Sequence, residues 1–186
     1  TVMTAYHTIK AEEADLIIAG GVESMSQAPF MIPGSIRRGH KFGDIIVEDH
    51  VLRDGLEDGF DGKAMGYHVE EVNQLVNNTR LEQDELSFES QQKAIAAVDT
   101  GRFQEEIVPI EVKTRKETIV FDTDEFPNRN TDMKKLGKLR PAFRSDGTVT
   151  AGNLSGMNDG ASFLIIASGE AVEKYNLKTM AEILSF

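Results

Sequence analysis

The chain has 186 residues, and its 31 acidic against 20 basic side chains give a formal charge of −11. That balance argues against a nucleic-acid surface, which needs clustered Lys and Arg to neutralise phosphates. No apolar run reaches the roughly 18 residues of a membrane span, and the absence of cysteine excludes disulfides, cysteine-based zinc sites and cysteine nucleophiles within these residues.

Val2, Met3, Tyr6 and Ile9 recur at helical spacing and predict a helix from the first residues, with no start signal ahead of it. The expectation is a chain cut within an element, poorly stable alone or associating through an exposed core face. These residues lack the basic and long apolar stretches of a secretory leader, so a cytoplasmic location is expected. Asp15 to Gly20 reads as a short buried strand. Helix, turn and apolar strand ending in Gly is the rhythm of an α/β fold.

From Gly21 to about Phe60 the pattern is loop-rich, with Pro29, Pro33 and several glycines. Met25, Phe30, Met31 and Ile32 make it an ordered excursion packed on a core or a partner-facing loop. A helix is predicted over 64–76. Thr79 with Glu82 three residues later matches a capping box and opens a helix through Asp99, ended by Thr100-Gly101. Two β-rich stretches, 107–112 and 118–121, predict a hairpin-like pair. Phe163 to Ala167 is a buried strand, Glu170 to Tyr175 a short helix, and Ala181 to Leu184 the start of another strand.

Two basic clusters stand in the acidic background: Arg37, Arg38, His40 and Lys41, and Lys134, Lys135, Lys138 and Arg140. They suit a solvated face or subunit contact, or the steering of an anionic ligand. The four histidines, His7, His40, His50 and His68, show no metal-ligand spacing. The densest unusual stretch is Thr148-Val149-Thr150-Ala151-Gly152-Asn153-Leu154-Ser155-Gly156-Met157-Asn158-Asp159-Gly160-Ala161. Its glycines allow close backbone approach, and Asn153, Ser155, Asn158 and Asp159 offer hydrogen bonds. A structural turn network and a ligand site both fit. It is neither a P-loop nor a GxGxxG dinucleotide loop.

The same stretch resembles the thiolase pattern T-V-T-A-G-N-x-S-G-x-N-D-G-A. Ala19 to Ser26 (Ala-Gly-Gly-Val-Glu-Ser-Met-Ser) and Lys138 to Phe143 (Lys-Leu-Arg-Pro-Ala-Phe) resemble two further segments of that family. Gly55 to Asp58, Met65-Gly66 and the helix from Thr79 follow in the family's order, so the resemblance covers essentially the whole chain.

The resemblance implies a thiolase fold: residues 1–21 as part of the N-terminal core domain, 22–150 as an inserted loop domain, and 151–186 as the return to the core. It implies acyl transfer between CoA thioesters, either joining two acetyl-CoA into acetoacetyl-CoA and CoA or the reverse thiolysis. Cleavage of longer 3-ketoacyl-CoA is the close alternative, and a non-catalytic CoA-binding module is another. CoA would be a substrate, with no cofactor or metal. In this family a cysteine thiolate takes the acyl group while a second cysteine and a histidine move protons. These would lie before Thr1 and after Phe186, so the chain as written is expected not to catalyse the reaction. The CoA-binding residues implied are Ser155 on the pantetheine arm, with Ala151, Leu154 and Met157 along its wall. Ala142 and Phe143 would pack on the same arm, Leu56 and Met65 would close the other side, and Arg129 would sit by the nucleotide end. A homodimer or homotetramer is implied, with a tetramer contact in 33–50.

Overall fold

The computed structural model describes residues 1–186. It divides into two compact units, one formed by Thr1–Val51 with Met157–Phe186 and the other by Leu52–Gly156.

The first unit is built on an antiparallel pair, β1 (Leu16–Glu23) with β6 (Gly160–Ala167), in register from Leu16 opposite Ala167 to Glu23 opposite Gly160. Helix α1 (Val2–Lys10) packs on this pair through a small core of Ala5, Ala19 and Ile166, bordered by Val2, Ile9, Ile17 and Ile183. Both strands outrun the apolar runs that predict them, because pairing carries the ladder through Gly20 and Gly21 on one side and Gly160 to Ser162 on the other. A Cβ at Gly20 would overlap the Ser162 carbonyl and the Phe163 ring. Glycine there permits the close approach of the two strands. The excursion carries only a two-residue ladder, β2 (Phe30–Met31) with β3 (Glu48–Asp49), and short 3-10 turns.

One expectation fails here: residues 181–184 form no strand. Ile183 packs against the core cluster, so its apolar character is satisfied by burial, while a strand needs a ladder partner that this segment does not have. Helix α5 (Gly169–Tyr175) follows β6, capped by Ser168, whose hydroxyl accepts from the Ala171 amide at 3.1 Å.

The second unit is framed by α2 (Met65–Val76) and α3 (Arg80–Asp99). The capping box is present in full: the Thr79 hydroxyl accepts from the Glu82 amide, and the Glu82 carboxylate accepts from the Thr79 amide at 2.8 Å. Strands β4 (Ile110–Lys113) and β5 (Thr118–Phe121) make the expected hairpin, closed by the Thr114 amide donating to the Glu117 carbonyl at 2.8 Å. The predicted first strand is shorter than expected, starting at Ile110 rather than Ile107. Pro109 has no N–H to give the ladder. A four-residue helix, α4 (Met133–Leu136), is capped by Asp132, which accepts from the Lys135 amide at 2.7 Å.

The buried residues of this unit are mostly polar. Glu70 and Asp84 are each 2% exposed and Thr150 is fully buried, and Asn73, Leu136 and Val149 are the other buried residues of the unit. On α2 the burial runs against the hydropathy: Glu70 and Asn73 point inward while Val69, Val72, Leu75 and Val76 are exposed.

Candidate functional site

Three segments of the second unit converge on the glycine-rich stretch. The first contact is an antiparallel bridge between Pro141 and Thr150, reinforced by the Ala142 amide donating to the Val149 carbonyl at 2.8 Å. It places Ala142 and Phe143 beside the start of the stretch. Phe143 in turn lies against α2, where a Cβ at Gly66 would overlap its ring. A second bridge, Glu57 to Ala64, sets Leu56 and Met65 at neighbouring positions across it. Leu56 is half-buried at the end of a π-helical turn, Leu52–Leu56, and Met65 is exposed at the first position of α2. An open hollow here is lined by Glu57, Asp58, Met65, His68, Val69 and Val72.

The glycine-rich stretch is held from beneath by two carboxylates. Glu70 accepts from the Thr148 amide at 2.8 Å, the Val149 amide at 2.8 Å and the Thr148 hydroxyl at 3.1 Å. Asp84 accepts from Asn153 Nδ2 at 3.0 Å and from Arg80 Nε at 2.8 Å. Asn153 also accepts from the Thr150 amide through Oδ1 at 2.7 Å and donates to the Thr148 carbonyl at 3.1 Å. Arg80 reaches the Leu139 and Leu136 carbonyls. Buried charge is tolerable when every lone pair finds a donor, and no buried side-chain polar atom is left without a partner. Beyond this anchored turn the side chains open outward: Ala151, Leu154 and Ser155 are exposed.

Leu56, Met65, Ala142, Phe143, Ala151, Leu154 and Ser155 thus belong to connected segments of one unit. Arg129 stands apart. Its guanidinium grips Asp99 at the last residue of α3 through two bonds, 2.6 and 3.0 Å. Along the helix that is roughly 22 Å from Asp84, at 1.5 Å per residue. The pairing raises the Arg129 pKa and lowers that of Asp99, each chiefly through the side-chain hydrogen bond between them. Met157 lies in the first unit and is exposed.

Beside Met65, His68 sits between two carboxylates, with Nδ1 3.3 Å from Glu71 and Nε2 3.3 Å from Asp61. Its pKa is raised, first by the bond to Glu71 and then, against some desolvation, by Asp61. Neighbouring Tyr67 lies between two cations, Lys63 Nζ 4.6 Å and the Arg144 guanidinium 5.6 Å from its ring centre.

Sequence reasoning missed Glu70 and Asp84. Their partners are 78 and 69 residues away, and only the Arg80–Asp84 spacing of four along a helix was locally visible.

The model of the thiolase N-terminal domain matches residues 1–170. The chain belongs to the thiolase family. This thiolase chain is 47% identical over 186 residues to an acetyl-CoA acetyltransferase of Escherichia coli K12, covering 100% of this chain and 47% of that protein. An acetyl-CoA acetyltransferase structure from Syntrophomonas wolfei superposes with a TM-score of 0.87 at 37% identity, covering 95% of this chain and 44% of that one. The human mitochondrial 3-ketoacyl-CoA thiolase structure gives 0.85 at 41% identity, over 94% of this chain and 44% of that one. The architecture is accordingly the α/β thiolase fold. The chain spans about half the length of the curated relatives it matches. No helix is long and apolar enough to cross a membrane.

Proposed function

We propose that this chain supplies CoA-binding segments to an enzyme that transfers acyl groups between CoA thioesters, as an acetyl-CoA C-acetyltransferase. The observation that carries the reading is the bridge between Pro141 and Thr150. It joins two separate family motifs into one exposed ridge of small and apolar groups ending in the Ser155 hydroxyl. Such a ridge suits a flexible, mostly apolar pantetheine arm with one polar anchor. In this reading Ser155 hydrogen-bonds the arm, Ala142, Phe143, Ala151 and Leu154 pack along it, and Leu56 and Met65 close the other side. Arg129 serves the nucleotide phosphates, exchanging Asp99 for them. CoA is a substrate and no cofactor takes part. The sequence holds no cysteine, so the nucleophile of the proposed reaction is not among these residues. A loop domain over 22–150, a homo-oligomeric state and a cytoplasmic location complete the proposal.

Calorimetric titration of the chain with CoA, on protein whose amide exchange shows α2 and α3 folded, tests it. One saturable site is expected, weakened in Ser155→Ala, and a flat titration would overturn the reading. The likeness to the human 3-ketoacyl-CoA thiolase structure supports a second reading, cleavage of longer 3-ketoacyl-CoA. Tighter binding of a long-chain 3-ketoacyl-CoA than of acetoacetyl-CoA would favour it.

A further inference from the structure

The Glu70 carboxylate is almost wholly enclosed, yet no hydrogen bond ties it to a cationic side chain. It spends its acceptors on the backbone of one short segment, taking the Thr148 amide, the Val149 amide and the Thr148 hydroxyl. The Thr148 hydroxyl also receives a bond from Gln83 Nε2 at 3.0 Å, so α2 and α3 both hold the same residue. Gly147 lies so close to Glu70 that a Cβ there would overlap the carboxylate. Three residues after Gly147, Thr150 is fixed by Asn153, and Ala151 to Ser155 follow. A desolvated carboxylate that satisfies three donors is costly to disturb. Packing of Val149 alone would hold the segment with less angular precision than these directed bonds.

We propose that Glu70 is a positioning residue for CoA: by fixing the direction in which the backbone leaves Val149, it sets where the Ala151–Ser155 ridge presents itself to the pantetheine arm. This rests on the CoA reading above. Glu70 does not touch the ligand. Its replacement by glutamine puts an NH2 donor where three donors already converge, so the segment must shift even though size and shape are kept.

The test combines CoA titration of the chain with amide exchange, in Glu70→Gln, Thr148→Val and Thr148→Ser. Glu70→Gln is expected to weaken CoA binding about tenfold and to speed exchange at residues 148–155 while α3 stays protected. Thr148→Val, which deletes the shared hydroxyl at a half-buried site, is expected to weaken binding several-fold, and Thr148→Ser to restore it. Unchanged CoA affinity in a folded Glu70→Gln overturns the proposal. So does faster exchange spread evenly over 148–155 and α3, which would mean a general loss of stability. If Glu70→Gln fails to fold, Thr148→Val decides: unchanged affinity there overturns the positioning role. Absence of CoA binding by the unsubstituted chain would instead overturn the CoA reading, and the inference with it.

Discussion

The Asp84 carboxylate and the Asn153 side-chain amide meet at 3.0 Å across 69 residues of sequence. Asn153 at the same time accepts from the Thr150 amide and donates to the Thr148 carbonyl, so one side chain closes the turn and moors it to α3. Asn153→Ala removes all three bonds and leaves a buried amide and a buried carboxylate short of partners. Denaturant unfolding is expected to show a loss of about 2 kcal/mol. A loss below about 0.5 kcal/mol, the scale of an ordinary surface change, would show that the turn is held by other means.

The capping box at the start of α3 gives a second expectation. Thr79→Ala should lower stability by about 1 kcal/mol, whereas Thr79→Ser, which keeps the accepting hydroxyl, should change it little. Equal effects of the two substitutions in thermal melts would assign the loss to the methyl group instead of the cap.

Asp159 carries a pH dependence. Its carboxylate accepts from the Ser26 hydroxyl at 2.6 Å and the Ser26 amide at 2.9 Å, and these bonds, the hydroxyl first, hold its pKa below the ordinary 3.8. A group with a lowered folded pKa contributes stability that is present above its unfolded value and disappears as pH falls through the folded one. Between neutral pH and 5 the contribution of this pair should be constant, and it should fade below about 4. Ser26→Ala should flatten that acid limb; an acid limb identical to that of the unsubstituted chain would remove Asp159 as its source.

His68 behaves in the opposite sense. Glu71 and then Asp61 raise its pKa above the ordinary 6.5, so its contribution is complete below 6.5 and is lost as pH rises through the higher folded value. An NMR titration of the His68 ring is expected to show a midpoint above 6.5 that moves down in Glu71→Gln. A midpoint at or below 6.5 would mean that solvent screens both carboxylates.

The elements that could be read from sequence are those whose causes are local. Thr79 and Glu82 sit three residues apart, so the start of α3 was visible, and β5 was bounded by its own β-branched run. Residues 107–109 (Ile-Val-Pro) and 181–184 (Ala-Glu-Ile-Leu) are also largely apolar and read as strand from sequence. They form no strand because a ladder depends on a partner, and because Pro109 cannot donate. The strand pair in the first unit runs on to Glu23 and Gly160 for the converse reason: the partner was there. In the candidate site the motif residues were legible as a pattern, and the bridge between Pro141 and Thr150 brings two of the motifs side by side. The supports beneath were not legible. Glu70 and Asp84 look like any charged residues on an exposed helix face, and nothing near them in sequence reveals that amides 69 to 79 residues away will point at them. The Asp99 that occupies Arg129 was hidden in the same way.

The polar interior of the second unit has a thermal consequence. Burial of apolar surface gives unfolding its large positive heat capacity, while burial of polar groups subtracts from it. Of the residues most enclosed there, Glu70, Asn73, Asp84 and Thr150 are polar and only Leu136 and Val149 are apolar. The stability curve of this unit should therefore be broad and shallow, with a heat-capacity step below the roughly 12–15 cal/mol/K per residue usual for globular proteins. Cooling would cost such an interior little of its strength, since hydrogen bonds, unlike apolar contacts, do not fade as water becomes cold.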